Sequence, residues 1–306
     1  DQPVQVDGKA WPVGTIFLSR FLNDGLSSRI EEAGLAASAT AVASGFTTEG
    51  ADLGTNDAYR LEMPRVAVVS GDGVYPTSYG AHWFFLEQTL GLPFDAVPSD
   101  RVATADLGHY DVIVLPDMGA AALDARGLER LKSWVREGGT LAGGARIAAV
   151  QVAEMELRTT GNADEADEDA AIARALRGRE ARELERWEEG VPGTILSVRL
   201  DSAHPLAFGA GVDGDPERMY VLHTGGRTYE PDENSEAVAY FPDGLDKVSG
   251  VISHRNLERL AQSSWLTTRR VGRGRVILFA DDPVFRHFWY AGFQVYTNAL
   301  LIGPRL

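Results

Sequence analysis

The sequence predicts an α/β fold: a mostly parallel, doubly wound sheet, a β-rich C-terminal extension and a buried final helix. Three observations lead there. From Met63 onward, short apolar runs alternate with amphipathic stretches. Beyond Pro192 the composition turns β-rich, and the chain closes on a long apolar and aromatic segment. With 306 residues, 44% of them hydrophobic and 24% charged, the chain can bury a substantial core. Two segments organise it: residues 1–62, a strand, a helix and a loop, and residues 63–306, the α/β domain.

In the first segment "GTIFLS" reads as a strand and "FLNDGLSSRIEEAGL" as a helix. The glycine- and threonine-rich run that follows, up to Pro64, is a connection. In the second, "RVAVVSG" is a strand buried on both faces. A helix then places Trp83, Leu86 and Leu90 on one stripe and closes at Gly91. "FDAVPSD" and "YDVIVLPDMG" are further strands. Asp124 starts an amphipathic helix that buries Leu128, Leu131, Trp134 and Val135 and stops at Gly138 and Gly139. "TLAGGARI" is the next strand, with Gly143, Gly144 and Ala145 at its turn into a helix. Residues 154–190, with 12 acids and 6 arginines, read as an exposed charged insertion, or as a partner-binding helix. The last helix is expected to open with Asp282 as N-cap and Pro283 in its first turn.

Composition excludes some functions. A net charge of −15 opposes binding to nucleic acid or to an anionic membrane surface. No apolar run reaches the ~18 residues of a membrane span, and the N-terminal stretch shows no targeting signal. Without cysteine there are no disulfides and no thiolate metal sites. Only Lys9, Lys132 and Lys247 among the 29 basic residues are lysines, which suits either a high-salt environment or arginine-biased codon usage.

Candidate chemistry gathers where the parallel strands end, the edge at which open α/β sheets bind ligands. Asp72, Asp117 and Arg146 each follow a strand, and Gly143 and Gly144 offer backbone N–H groups at a helix start. Asp281, Asp282 and His287 in "FADDPVFRHFW" form an acid–base set, or alternatively a helix cap with an Arg–Asp pair. His254 and Glu258 stand four apart on a helix, as a surface pair or as two ligands of one ion. No serine occupies a nucleophile elbow, and no histidine begins a zinc-binding motif; no metal and no cofactor is implied.

Four stretches, "SGFTTEGADLGT", "PRVAVVSGDGVYPTSYGAHWFFLEQTLGLPFDAV", "HPLAFG" and "GRGRVILFADDPVFRHFWYAGFQVYTNALLIGP", resemble the region that follows the catalytic domain in bacterial zinc carboxypeptidases of the carboxypeptidase A-like class. The resemblance runs from about Trp11 to Pro304 and is most specific in the last stretch. It implies a class I glutamine amidotransferase-like (flavodoxin-like) fold and a secreted or periplasmic parent. The peptidase's HxxE motif is absent, and the amidotransferase nucleophile is missing from the Gly143–Gly144–Ala145 turn. The expectation is a non-catalytic accessory domain whose partner is the peptidase domain of its parent protein. The alternative is a module that binds a peptide or small carboxylate in a pocket of Asp72, Tyr79, Asp117, Gly144, Arg146 and His287. An enzyme working through Asp281, Asp282 and His287 is the third possibility.

Overall fold

The computed structural model describes residues 3–50, 60–144, 147–159, 176–181, 183, 190–245 and 247–306. Arg146, Ala145 and most of the charged insertion lie outside them. The chain divides into two compact units, Asp1–Arg60 and Leu61–Leu306.

In the first unit, β1 (Val4–Val6) pairs antiparallel with β2 (Lys9–Trp11). The turn between them uses Asp7 and Gly8, both at positive φ, the twist a two-residue hairpin requires. The expected strand at "GTIFLS" is not formed; the hairpin lies earlier, where Asp-Gly supplies the turn. The expected helix shrinks to α1 (Leu26–Glu32), because Gly25 and Gly34, at φ 66° and 69°, bound it on both sides.

The second unit is built on one 12-stranded mixed sheet. Its N-terminal half contributes β3 (Val66–Ser70), α2 (Pro76–Phe84), β4 (Phe94–Pro98), β5 (Val112–Leu115), α3 (Ala125–Arg136), β6 (Thr140–Gly144) and α4 (Ile147–Ala153). The C-terminal half adds β7 (Leu157–Thr159), β8 (Thr194–Leu200), β9 (Arg218–His223), β10 (Arg227–Tyr229), β11 (Ser235–Tyr240) and β12 (Lys247–Gly250). It ends with α5 (His254–Leu260), β13 (Ser264–Val271), β14 (Gly274–Phe279) and α6 (Ala291–Leu301).

The order β14-β6-β5-β3-β4 forms a five-stranded parallel core. On the other side of β14 the pairing switches to antiparallel, through β13, β11, β8 and β12, with β9 on β8 and β10 and β7 beyond β13. Strand β14 is therefore the seam between the two halves. Its six residues are all buried, as are Val66–Val69 and the whole of β5. Val66–Val69, Val112–Leu115 and Val276–Phe279 are continuous apolar runs with no polar face for solvent, and the buried Arg275 at the start of β14 is paired with Glu236 at 3.3 Å.

Helix α3 behaves as its pattern dictates. Asp124 accepts a hydrogen bond from the Gly127 N–H at 2.7 Å, and Leu131, Trp134 and Val135 are buried. The Trp134 ring covers Gly139, where a Cβ would stand 2.3 Å from it. Helix α2 departs from the expected stripe. It runs into a π-helical turn at Phe85–Leu90 before Gly91 closes it at φ 62°. The wider turn rotates the buried face, so Phe85 and Leu86 point inward while Trp83 and Phe84 stay exposed.

Two further expectations are corrected here. Gly143 and Gly144 are not a turn: both lie in β6, paired with Leu278 and Phe279 of β14. The final helix does not open at Asp282. Asp282 instead accepts the Val284 N–H at 3.0 Å and holds a short 3-10 turn, Phe285–His287, in which Arg286 and His287 have φ of 47° and 53°. Helix α6 starts only at Ala291, after the chain has folded back so closely that a Cβ on Gly292 would lie 2.1 Å from the Pro283 carbonyl oxygen. Gly292→Ala must push one segment off the other, so it is expected to destabilise the fold by about 1–3 kcal/mol. Urea unfolding of the variant measures it.

Candidate functional site

The exits of the parallel strands carry a buried polar cluster centred on two consecutive acids. Asp281 and Asp282 follow β14 where the chain bends, and their carboxylates meet different elements. Asp281 reaches into the antiparallel half. Its Oδ1 accepts the Thr224 N–H at 2.7 Å and the Thr224 hydroxyl at 3.1 Å. Its Oδ2 accepts His223 Nδ1–H and Trp265 Nε1–H, each at 2.8 Å. Burial alone would raise the Asp281 pKa. The His223 charge and these hydrogen bonds outweigh it and hold the carboxyl below its usual range.

Asp282 reaches the other way. Its Oδ2 accepts the Ser78 hydroxyl at 2.8 Å, and the Ser78 oxygen in turn accepts the Asp117 N–H at 3.0 Å. One serine on α2 thereby joins the exits of β5 and β14. The ring of His82, one turn further along α2, lies with Nε2 3.7 Å from Asp282 Oδ1 and Nδ1 2.7 Å from the Tyr296 hydroxyl. A consistent tautomer places the proton on Nε2, facing the carboxylate, and lets Nδ1 accept from Tyr296. Desolvation lowers the His82 pKa against the opposing pull of Asp282, and burial keeps Tyr296 a phenol well beyond its ordinary range.

The remaining candidates divide. Asp117 joins the cluster, with Oδ1 so close that a Cβ on Gly144 would stand 2.9 Å from it. Gly144 therefore makes room for a carboxylate, and Gly143, where a Cβ would meet Leu115 at 3.1 Å, makes room for β5. Both glycines serve strand-end packing. Asp72 is exposed, and its carbonyl accepts the Ser99 hydroxyl. Tyr79 is half-buried, with its pKa raised by burial and then by Glu87.

His287 does not join the acids. Its Nε2 bonds the Thr89 hydroxyl at 2.8 Å, and its ring nests against Phe84, Tyr290 and Phe293. Arg286 and His287 both hold a left-handed φ, at a cost of about 1–3 kcal/mol each. The histidines beside the acids are His82 and His223, some 200 and 58 residues away in sequence, and no local motif marks them. His254 and Glu258 form an exposed ion pair at 3.3 Å. Among the described residues no group of three potential metal ligands converges.

No family model and no curated protein matches the chain. Among solved structures it is similar to a ThuA-like protein from Bacteroides uniformis, at 12% identity over 77% of this chain and 89% of that one, with a TM-score of 0.43. It is also similar to an exo-β-1,4-mannosidase from Opitutaceae bacterium strain TAV5, at 13% identity and TM-score 0.44, covering 78% of this chain but only 36% of the mannosidase. A glutamine amidotransferase from Thermotoga maritima matches at 12% identity over 72% of this chain and 75% of that one, with a TM-score of 0.39. None of the three is a zinc carboxypeptidase, and likeness at this level says nothing about chemistry.

Two predictions follow from the cluster. Asp281→Asn replaces an acceptor of four hydrogen bonds with a group that must itself donate, and is expected to cost about 3–5 kcal/mol in denaturant unfolding. His82 has a folded-state pKa below its ordinary 6.5. The unfolded chain therefore takes up that proton first as pH falls. Stability is full above about pH 6.5 and declines below it, until the folded-state pKa is passed. His82→Asn, measured by unfolding at a series of pH values, should flatten that part of the profile.

Proposed function

We propose that this chain is a non-catalytic accessory domain, supporting or shaping access to a zinc carboxypeptidase-like catalytic domain that is not part of it. One observation carries the reading: the acids at the strand exits are engaged by the chain's own donors. Asp281 is held by His223, Thr224 and Trp265, and Asp282 by Ser78 and the Val284 N–H. Acids so engaged hold the fold together; an acid–base catalyst needs a group that reaches its substrate.

The resemblance supports the same reading. Its most specific stretch, residues 272–304, covers β14, the two acids and α6. Those are the parts that fasten the sheet, so this stretch has a structural reason to keep its residues. The peptidase partner itself rests on that resemblance.

Mixing the chain with the separately produced peptidase domain of its parent protein tests the proposal. A stable complex at micromolar concentration, seen by analytical ultracentrifugation, is the expected result; two independent species would overturn it. With the chain alone, zinc and chelator are expected to leave the melting temperature unchanged.

A further inference from the structure

We propose that the turn at residues 204–208 is an acid-released clamp on α6, closed while the His204 ring is neutral and opened when its Nδ1 takes up a proton. The turn belongs to "HPLAFG", one of the four stretches singled out in the sequence, and nothing in the accessory role uses it.

Both ring nitrogens of His204 are committed. Nδ1 accepts the Leu206 N–H at 3.1 Å and so caps the 3-10 turn Pro205–Ala207. Nε2 lies 3.0 Å from Glu236 Oε2, and a carboxylate only accepts, so the single ring proton is on Nε2. A second proton has no place but Nδ1, where it would point at another donor 3.1 Å away. The imidazolium therefore cannot keep the cap.

The turn fastens α6. Leu206 and Ala207 are buried, and the carbonyls of Leu206 and Phe208 accept the Asn298 side-chain N–H groups at 3.0 and 2.8 Å. Gln294, one turn earlier on α6, donates to Asn298 Oδ1 at 3.0 Å and fixes the amide in that orientation. The same helix carries Tyr296, whose hydroxyl meets His82. Opening the turn thus loosens the helix that supplies the partner of His82.

The charges around the ring set the direction. Two elements pack on the turn: β11 brings Glu236, and α6 meets it with the neutral amides of Gln294 and Asn298. Asp201, which follows β8, is the second acid nearby, and its Oδ1 already accepts the Ala203 N–H at 3.1 Å. Glu236 is shared. Arg275 of β14 reaches the same oxygen at 3.3 Å, so that carboxylate faces one cation before His204 becomes another. The His204 side chain is 10% exposed, and desolvation outweighs the pull of both acids and holds its pKa below the ordinary 6.5. As pH falls the opened chain takes up the proton first, so the clamp is closed above about pH 6.5 and weakens below it.

Amide hydrogen exchange of the whole chain, read by mass spectrometry at about pH 7.5 and about pH 5 and corrected for the chemical effect of pH, tests the clamp. Protection of residues 204–210 and 291–301 should fall by about tenfold or more at the lower pH, while α3 keeps its own. His204→Asn supplies a cap oxygen that does not titrate, and should abolish the acid loss at 204–210; His82→Asn should leave that loss in place. Imidazole nitrogen NMR of the unsubstituted chain should show Nε2 protonated and Nδ1 bare at neutral pH, a result that needs no variant to fold. A protonated Nδ1 at neutral pH, no acid loss, a loss shared equally by α3, or one unchanged in His204→Asn would each overturn the proposal. No peptidase domain enters these measurements, so the clamp and the accessory role stand or fall separately.

Discussion

The second unit depends on the back-to-back placement of Asp281 and Asp282 at the end of β14. That strand is where parallel pairing gives way to antiparallel pairing, and backbone hydrogen bonds alone do not fix how the two halves meet beyond its last residue. The acids supply what is missing. Asp281 binds side chains from β9 and β13, and Asp282 binds α2 and, through Ser78, the exit of β5. Two adjacent residues thus tie elements from residue 78 to residue 265, because their carboxylates meet two different sets of partners.

Burying two carboxylates is unfavourable unless each is well supplied with donors. The molecule meets that requirement with a different donor set for each. Asp281 is surrounded by ordinary N–H and O–H donors and one histidine, which stabilise the anion directly. Asp282 sits beside a histidine that burial keeps neutral, so its support comes mainly from Ser78 and a backbone N–H. Glycine is needed for the same arrangement, since only a residue without a Cβ at position 144 lets the Asp117 carboxylate lie over β6.

These terms separate what the sequence could show from what it could not. The parallel core was legible because strands buried on both faces read as unbroken apolar runs, and α3 because its cap, stripe and terminal glycines agree. The location of the cluster was legible too: Asp117, Asp281 and Asp282 each follow a recognisable strand. Their partners were not. Ser78, His82, His223 and Trp265 meet the acids only through tertiary contacts, whereas His287, close in sequence and chemically plausible, is turned aside by a left-handed backbone that no residue pattern announces. Similarly, Gly143 and Gly144 suggest a turn to anyone reading along the chain. In the sheet they answer to Leu115 and Asp117, which come from a different strand.

The turn after Asp282 links the fastening of the sheet to the surface. An N-cap that simply began a helix at Pro283 would leave Arg286 and His287 in ordinary helical geometry. Here Gly292 packs against the Pro283 carbonyl, so the helix is delayed to Ala291 and the intervening residues must reverse direction within a few positions. The reversal is what forces two consecutive side-chain-bearing residues into left-handed conformations. It also sends their side chains apart, the imidazole into an aromatic nest and the guanidinium out over Phe285. The strain is borne because both flanks are fixed, by Asp282 before the turn and by α6 after it. A single short segment therefore secures the inside of the sheet and places an exposed guanidinium over the Phe285 ring beside it.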